Sequence, residues 1–323
     1  MSKKRKKSTA TAPPTATEAG TVIRSVGSSS RVQTLAGEQV DCVVRGKFRI
    51  QDVNSTNPVA VGDQVRFVPP EEGSTVGVIV EVCPRKNYIL RKAIAHARKV
   101  HILAANVDQA ILIFTVAYPA TSTGFANRFL VSTEAYHIPT RIVINKVDLL
   151  KTPEEQQRLT EIQRLYEQIG YEVLTLSALD PAYGDTVANL LRDQISFVGG
   201  HSGAGKSTLI NLIDPTLSLK TKEVSTSNHK GRHTTTYAEM HPLATGGYII
   251  DSPGIKELGL TGFGREDLSH YFPEMRGRMA DCRFANCSHT REPGCAIKAA
   301  VEAEEIHPSR YDSYLRMLEE VDA

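Results

Sequence analysis

The sequence predicts an α/β protein built in three parts. Short apolar runs separated by turn signals fill residues 21 to about 90, which points to a small β-barrel. From about residue 100, continuous apolar runs alternate with helical stretches, the mark of a parallel sheet covered on both faces. After residue 265, three cysteines and a histidine crowd into a helical segment, which points to a bound metal.

Composition sets the frame for these parts. The chain is 323 residues long, 41% hydrophobic and 23% charged, as expected of a soluble globular protein with two or three domains. No apolar run approaches the length of a membrane span, so a membrane partner is not expected. The net charge of +2 hides an asymmetry. Residues 1–100 hold 17 Lys/Arg against 8 Asp/Glu, whereas the remainder holds 21 against 28, so the basic end is the part suited to nucleic acid.

The first segment, "MSKKRKKSTATAPPTATEAG", has no apolar core after its lysines and is not a secretory signal. It holds too little apolar surface to order itself, so residues 1–20 are expected to be a disordered basic tail. Its Ser/Thr-rich, acid-poor composition also fits a plastid transit peptide. Five cysteines, an odd number without a secretory signal, place the chain in a reducing compartment, the cytoplasm by default.

In the barrel region, residues 21–90, "VDCVVRGKFRI", "DQVRFVP" and "GVIVEVCPR" read as strands. Size and basic charge fit a five-stranded OB-type barrel with an RNA-binding face. An SH3-like barrel gives a similar pattern, and such a barrel can also serve only for docking.

In the central region, residues 97–265, "VDQAILIFTVA" and "TRIVINKVDLL" read as strands buried on both faces, and "GFANRFLVSTEAYHI" has helical spacing. "TPEEQQRLTEIQRLYEQIG" is a helix opened by a capping box, Thr152 with Glu155, and stopped at Gly170. "YEVLTLSAL", "ISFVGG" and "GGYIIDSPG" read as further strands, and "KSTLINLI" opens a helix.

The polar ends of these strands carry chemistry. Gly200, His201, Ser202, Gly203, Ala204, Gly205, Lys206, Ser207 and Thr208 form a phosphate loop between strand and helix. Backbone N–H groups and the helix dipole face the phosphates, Lys206 reaches the β- and γ-phosphates, and the Ser207 hydroxyl ligates magnesium. Asp251 ends a buried strand and is placed to hold magnesium, while Gly254 can offer its N–H to the γ-phosphate. Asn145-Lys146-Val147-Asp148 is a guanine-reading motif. Guanine presents N1–H and N2–H₂ side by side, and one carboxylate, Asp148, accepts both; adenine offers no such pair. Ser177-Ala178-Leu179 follows the next strand, where a backbone N–H can meet guanine O6.

The parts of a GTPase are therefore present in an unusual order, base reader first and phosphate loop later. Ligands bind at the carboxyl ends of parallel strands, and every motif sits at such an end. A circular permutation keeps those positions and moves only the chain breaks. "KGRHTTTYAEM" lies where the first switch loop belongs. Of Thr234, Thr235 and Thr236, Thr235 is the one assigned to magnesium and the γ-phosphate. The position that carries a water-orienting Gln in many GTPases is Ile255 here, so His233 is the candidate for that role, with His201 a weaker one.

Cys282, Cys287, His289 and Cys295 offer three thiolates and an imidazole, the set for one structural zinc; an iron–sulfur cluster is the less natural occupant. The metal is expected to fold a segment with little core of its own. In the last helix, "SRYDSYLRMLEE", the stripe Tyr311, Tyr314, Leu315 and Leu318 is read as packing.

In order, these motifs (N-K-V-D, S-A-L, G-H-S-G-A-G-K-S-T, G-R-H-T-T-T, D-S-P-G and the Cys/His cluster), together with "PRKNYILRK" at the barrel exit, resemble the RsgA (YjeQ) family of circularly permuted GTPases. Lys230 and Ala204 depart from the family's usual Arg and Val without removing a needed group. The resemblance implies an OB-fold domain (21–90), a circularly permuted P-loop GTPase domain (97–265) and a helical zinc-binding domain (266–323). It also implies binding to the small ribosomal subunit and its rRNA near the decoding region, with GTP hydrolysis stimulated by the subunit in late maturation; Mg2+ with GTP/GDP and a monomeric state are further expectations. A GTP-gated rRNA-binding protein with incidental turnover is the alternative.

Overall fold

The computed structural model of the chain describes residues 16–44, 57–92, 100–217, 238–251 and 264–321. His233, Thr234, Thr235, Thr236, Gly254 and Ile255, and with them the switch-loop assignments, lie outside the described residues, as do residues 1–15.

The N-terminal strands are β1 (Glu18–Val26), β2 (Ser29–Thr34), β3 (Gln39–Val44), β4 (Gln64–Val68) and β5 (Val76–Val82). They run β1-β2-β3-β5-β4, and β4 pairs back onto β1, which closes the barrel in the OB order. β3 and β5 are parallel and the other pairs antiparallel. The inward residues Val22, Val32, Cys42, Val65, Phe67 and Ile79 form the barrel core. Cys42 is thus a small apolar filler, and burial pushes its thiol up to about 11. β1 starts at Glu18, inside the stretch expected to be tail, because Glu18–Thr21 supply the pairing that closes the barrel against β4.

The barrel exit is clamped. Arg85 makes two 2.6 Å bonds to the carboxylate of Asp63, which is fully buried and also accepts from the Ala60 N–H. Lys86 pairs with Asp108 at the start of the central sheet. The "PRKN" segment then leads into a two-stranded ribbon, β6 (Tyr88–Lys92) with β7 (Val100–Ala105), which the apolar pattern alone did not announce.

The central sheet comprises β8 (Gln109–Phe114), β9 (Thr140–Ile144), β10 (Glu172–Thr175), β11 (Ile195–Gly200), β12 (Glu239–Pro242) and β13 (Tyr248–Asp251). Their spatial order is β10-β9-β8-β11-β13-β12, with β12 the antiparallel member, and a single β1–β12 pairing, Arg24 with Glu239, joins sheet to barrel. Every residue of β8 is buried, as its unbroken apolar run requires. One face carries α1 (Thr123–Ala135) and α2 (Pro153–Ile169), where Phe129, Leu130 and Tyr166 cover Leu112, Phe114, Ile144 and Phe197. The other carries α3 (Gly184–Leu191) and α4 (Lys206–Ile213), where Val187, Leu191, Leu209 and Ile210 cover Ile111, Ile113, Val143 and Val198. Side chains alternating along each strand feed the two layers. α2 has its full capping box and ends at Gly170 (φ 107°), a conformation that suits glycine.

The C-terminal part holds α5 (Pro273–Arg276), α6 (Ala296–Glu302) and α7 (Pro308–Val321). It has a real core: Leu268, Phe272, Met275, Ile297, Ile306, Tyr314, Met317 and Leu318 cluster with Val131 of α1. The expectation of a segment with little core is corrected accordingly: apart from Val131 of α1, this cluster is built from the C-terminal part's own side chains. Of the stripe on α7, Tyr314 and Leu318 are buried and Tyr311 and Leu315 pack at its edge. The docking is polar at its centre. Asn127 of α1 donates to Ser313 (2.8 Å) and accepts from Tyr166 (3.1 Å) and Arg310 (2.9 Å). Arg310 in turn is bidentate to Glu274 and lies 4.7 Å over the Phe272 ring. No helix among the described residues is long and apolar enough to cross a membrane.

Candidate nucleotide and metal sites

The motifs separated in the chain meet at one edge of the sheet. β9, β10, β11 and β13 are neighbours or near neighbours in register, so the residues at their carboxyl ends converge. Asn145, 2% exposed, sits at the junction. Its Oδ1 accepts from the Ala178 N–H (2.9 Å) and its Nδ2 donates to the Ala204 carbonyl (2.9 Å). One side chain therefore ties the base-reading loop to the Ser177 loop and to the phosphate loop. Gly205 makes room for it: a Cβ there would stand 2.3 Å from Asn145 Nδ2, and φ is +96°. The Ala178 N–H is committed to Asn145, while the Leu179 N–H makes a longer 3.3 Å bond to Ser177 Oγ and is the one able to turn to a base.

In the phosphate loop, Gly200 lets β11 approach β8; a Cβ would meet the Ile113 carbonyl at 2.8 Å. Lys206 donates to the carbonyls of Gly200 (2.7 Å) and His201 (3.2 Å), holding its amine at the loop's centre. Burial lowers the Lys206 pKa, opposed by the charge of Asp251. Burial likewise raises the Asp251 pKa, opposed by Lys206 and His241. Each group is thus under-compensated, an anion short for the lysine and a cation short for the aspartate. A phosphate with magnesium supplies both, so the residues fit that ligand. Ser207 and Thr208 open α4 beside them, with Ser202 and Gly203 (φ 85°) in the turn before. Both ring nitrogens of His201 face carbonyls, Ser202 O at 2.6 Å and Ala120 O at 3.2 Å, which leaves this histidine poorly placed to orient a water.

Asp148 is exposed in the 3₁₀ turn Val147–Leu149. Lys146, in left-handed backbone (φ 66°), sends its amine to the Tyr118 carbonyl (2.7 Å). Leu149 and Leu179, neighbours of Asp148 and Ala178, are exposed, which gives the loops an apolar rim suited to a flat base. Sequence reasoning missed the loop after β8, Thr115–Thr121, whose Tyr118 and Ala120 carbonyls touch Lys146 and His201. Backbone carbonyls leave no residue signature, so no motif could have found it.

At the metal cluster, the ligand atoms of Cys282, Cys287, His289 and Cys295 all lie within 4.8 Å of one another. His289 Nδ1 is 3.6 Å from Cys282 Sγ and 3.5 Å from Cys295 Sγ. A tetrahedron with zinc-like bond lengths has S···N edges of about 3.6 Å. His289 Nε2 is buried without a hydrogen-bond partner, so Nδ1 is the nitrogen facing the sulfurs. Burial and the neighbouring Cys295 and Cys282 push the Cys287 thiol up to about 12, a cost that a bound cation would relieve. The loop around them is held by α7, where Tyr311 donates to the His289 carbonyl (2.6 Å) and Tyr314 to that of Ser288 (2.8 Å). Glu292 accepts from the N–H groups of Ser288, Thr290 and Arg291.

Comparison with known proteins places this arrangement. A family model described as RsgA GTPase matches residues 82–261, and one described as RsgA N-terminal domain matches residues 19–79. The chain is 47% identical over 301 residues to a small ribosomal subunit biogenesis GTPase RsgA of Bacteroides fragilis, covering 93% of this chain and 96% of that protein. It is 46% identical over 302 residues to a protein of the same description from Christiangramia forsetii, covering 93% and 95%. Among solved structures, YjeQ from Thermotoga maritima superposes with a TM-score of 0.75 at 35% identity, covering 95% of this chain and 99% of that one. YloQ, a circularly permuted GTPase, superposes with a TM-score of 0.70 at 29% identity, covering 95% and 96%.

Proposed function

The chain belongs to the RsgA GTPase family and is a GTP hydrolase, and from that premise we propose that it binds the small ribosomal subunit and hydrolyses GTP in late subunit maturation, with turnover stimulated by the subunit. The observation that carries the nucleotide assignment is Asn145, whose two bonds join the base-reading, Ser177 and phosphate loops into one site despite their permuted order. Asp148 accepts the guanine N1–H and N2–H₂, with Lys146 along the base and the Ser177–Ala178 loop closing its edge. Backbone N–H groups from Gly200 to Thr208 cradle the phosphates, and Lys206 neutralises the β- and γ-oxygens. Ser207, Asp251 and Thr235 would hold magnesium, which would supply neutralisation of negative charge on the phosphates. His233 orients the attacking water and Gly254 N–H meets the γ-phosphate. Attack at the γ-phosphorus breaks its bond to the bridging oxygen and leaves GDP and phosphate.

Cys282, Cys287, His289 and Cys295 hold one structural zinc, with no open position for chemistry. The basic, barrel-bearing end is the surface we assign to rRNA. The relatives described above are bacterial, so we assign the cytoplasm rather than a plastid, and a monomer as the working form. GTP turnover measured with and without purified small subunits tests the central claim. A subunit-dependent rise is expected, and an unchanged rate refutes the stimulation.

A further inference from the structure

We propose that Tyr118 is a positioning residue for guanine recognition, acting through Lys146 to hold the base-reading loop against the phosphate loop; this rests on the nucleotide site proposed above. The loop Thr115–Thr121 is closed at its base. Thr115 N donates to Thr121 Oγ1 (3.0 Å), Thr121 N to the Thr115 carbonyl (2.8 Å), and Thr115 Oγ1 to the Pro119 carbonyl (2.6 Å). Both threonines are buried, so the base of the loop is rigid and its tip is displayed.

That tip touches the base-reading loop once and the phosphate loop twice. The Tyr118 carbonyl takes the Lys146 amine at 2.7 Å. The Pro119 ring lies against Gly203, where a Cβ would come within 3.2 Å of it, and the Ala120 carbonyl faces His201 Nε2 at 3.2 Å. On its outer side the Tyr118 phenol donates to Glu155 Oε1 at 2.9 Å. Glu155 Oε2 in turn accepts from the N–H groups of Lys151 (2.8 Å) and Thr152 (3.1 Å), at the point where the base-reading loop enters α2. Tyr118 therefore grips the base-reading segment at both ends, its carbonyl on Lys146 and its hydroxyl on the start of the following helix.

The backbone here works against that position, because Tyr118 has φ 59°, a left-handed conformation that costs about 1 kcal/mol or more for a residue with a side chain. The side chain is 55% exposed and buries little in return. A bulky, exposed side chain held in such backbone by one anchoring bond is poor packing but sound positioning. Burial lowers the Lys146 pKa, in keeping with an amine that has exchanged water for this carbonyl and the loop around it.

The test uses the full-length chain and fluorescence-detected binding of GDP, IDP and ADP, with thermal unfolding alongside. IDP lacks the N2 amine, so the GDP/IDP ratio reads how well Asp148 and Lys146 are placed. Tyr118→Phe removes only the hydroxyl and keeps the ring and fold. Expected are a loss of GDP affinity of about three- to tenfold, as for the net worth of one ordinary hydrogen bond, a narrowed GDP/IDP ratio and an unchanged unfolding temperature. Glu155→Ala combined with Tyr118→Phe should lose no more than Glu155→Ala alone, since the Tyr118 hydroxyl then has no carboxylate left to bind. GDP affinity within twofold of the parent, or an equal loss for GDP and IDP, overturns the inference. A parent protein that binds ADP as well as GDP overturns instead the guanine assignment on which it rests.

Discussion

Arg310 should be the most expensive single side chain to truncate outside the nucleotide site. It is 1% exposed, donates to Glu274 at 2.6 and 3.2 Å and to Asn127 Oδ1 at 2.9 Å, and covers the Phe272 ring. Arg310→Ala leaves the Glu274 carboxylate, whose side chain is only 10% exposed, without its cation. Removing one member of a buried pair costs about 3–5 kcal/mol, far more than the pair's own net worth. Replacing both members, Arg310→Met with Glu274→Leu, removes the uncompensated charge and should recover most of that loss, to within about 1 kcal/mol of the parent. Asn127 keeps its bonds to Ser313 and Tyr166 in either case. Hydrogen exchange across α1 and α7 with urea unfolding followed by circular dichroism would read the result; the chain has no tryptophan to follow. A single variant that loses under about 1 kcal/mol, or a double variant as unstable as the single, would refute the claim that a buried charge pair sits at the junction of the C-terminal part with α1.

Three further outcomes follow from the site. Gly205→Ala forces a Cβ to 2.3 Å from Asn145 Nδ2 at φ +96°, so GDP affinity should fall at least tenfold by titration, roughly the effect of losing the Asn145 bridge; unchanged affinity would show that the Asn145 bridge does not hold the site together. Metal analysis should find zinc bound by the Cys282, Cys287, His289 and Cys295 set, and chelation or Cys295→Ser should expose α6 and α7 to proteolysis while leaving the barrel resistant. The Asp251 pKa is raised chiefly by burial, so its carboxylate takes up a proton at higher pH than an ordinary aspartate. The protonated form cannot hold a cation, so magnesium-dependent GDP affinity should be full above that raised pKa and be lost as pH falls through it. Calorimetry across pH checks this, and Asp251→Asn should flatten the profile.

Much of the site was legible because its chemistry depends on residue type at short spacing. A phosphate loop needs glycines before Lys206 and Ser207, a guanine reader needs Asp148 close after Asn145, and a thiolate zinc site needs Cys and His within one loop. The order of these motifs sufficed to infer the permutation, since a sheet built from parallel strands presents every carboxyl end on one edge regardless of where the chain is cut. The β6–β7 ribbon and the edge strand β12 were not legible, because short strands of mixed polarity carry no clear period.

The sequence by itself determined the architecture, the permuted order and the identity of the chemical groups, since periodicity and motif spacing are local properties of the chain. Tertiary structure alone decided how those groups are held. That Asn145 spends its amide on Ala178 and Ala204, that the Tyr118 carbonyl takes Lys146, and that Arg310 closes a buried junction with Asn127 and Glu274 are contacts between segments far apart in the chain. Several of them use backbone atoms, which every residue carries, so only the folded geometry distinguishes the carbonyl that matters from the rest.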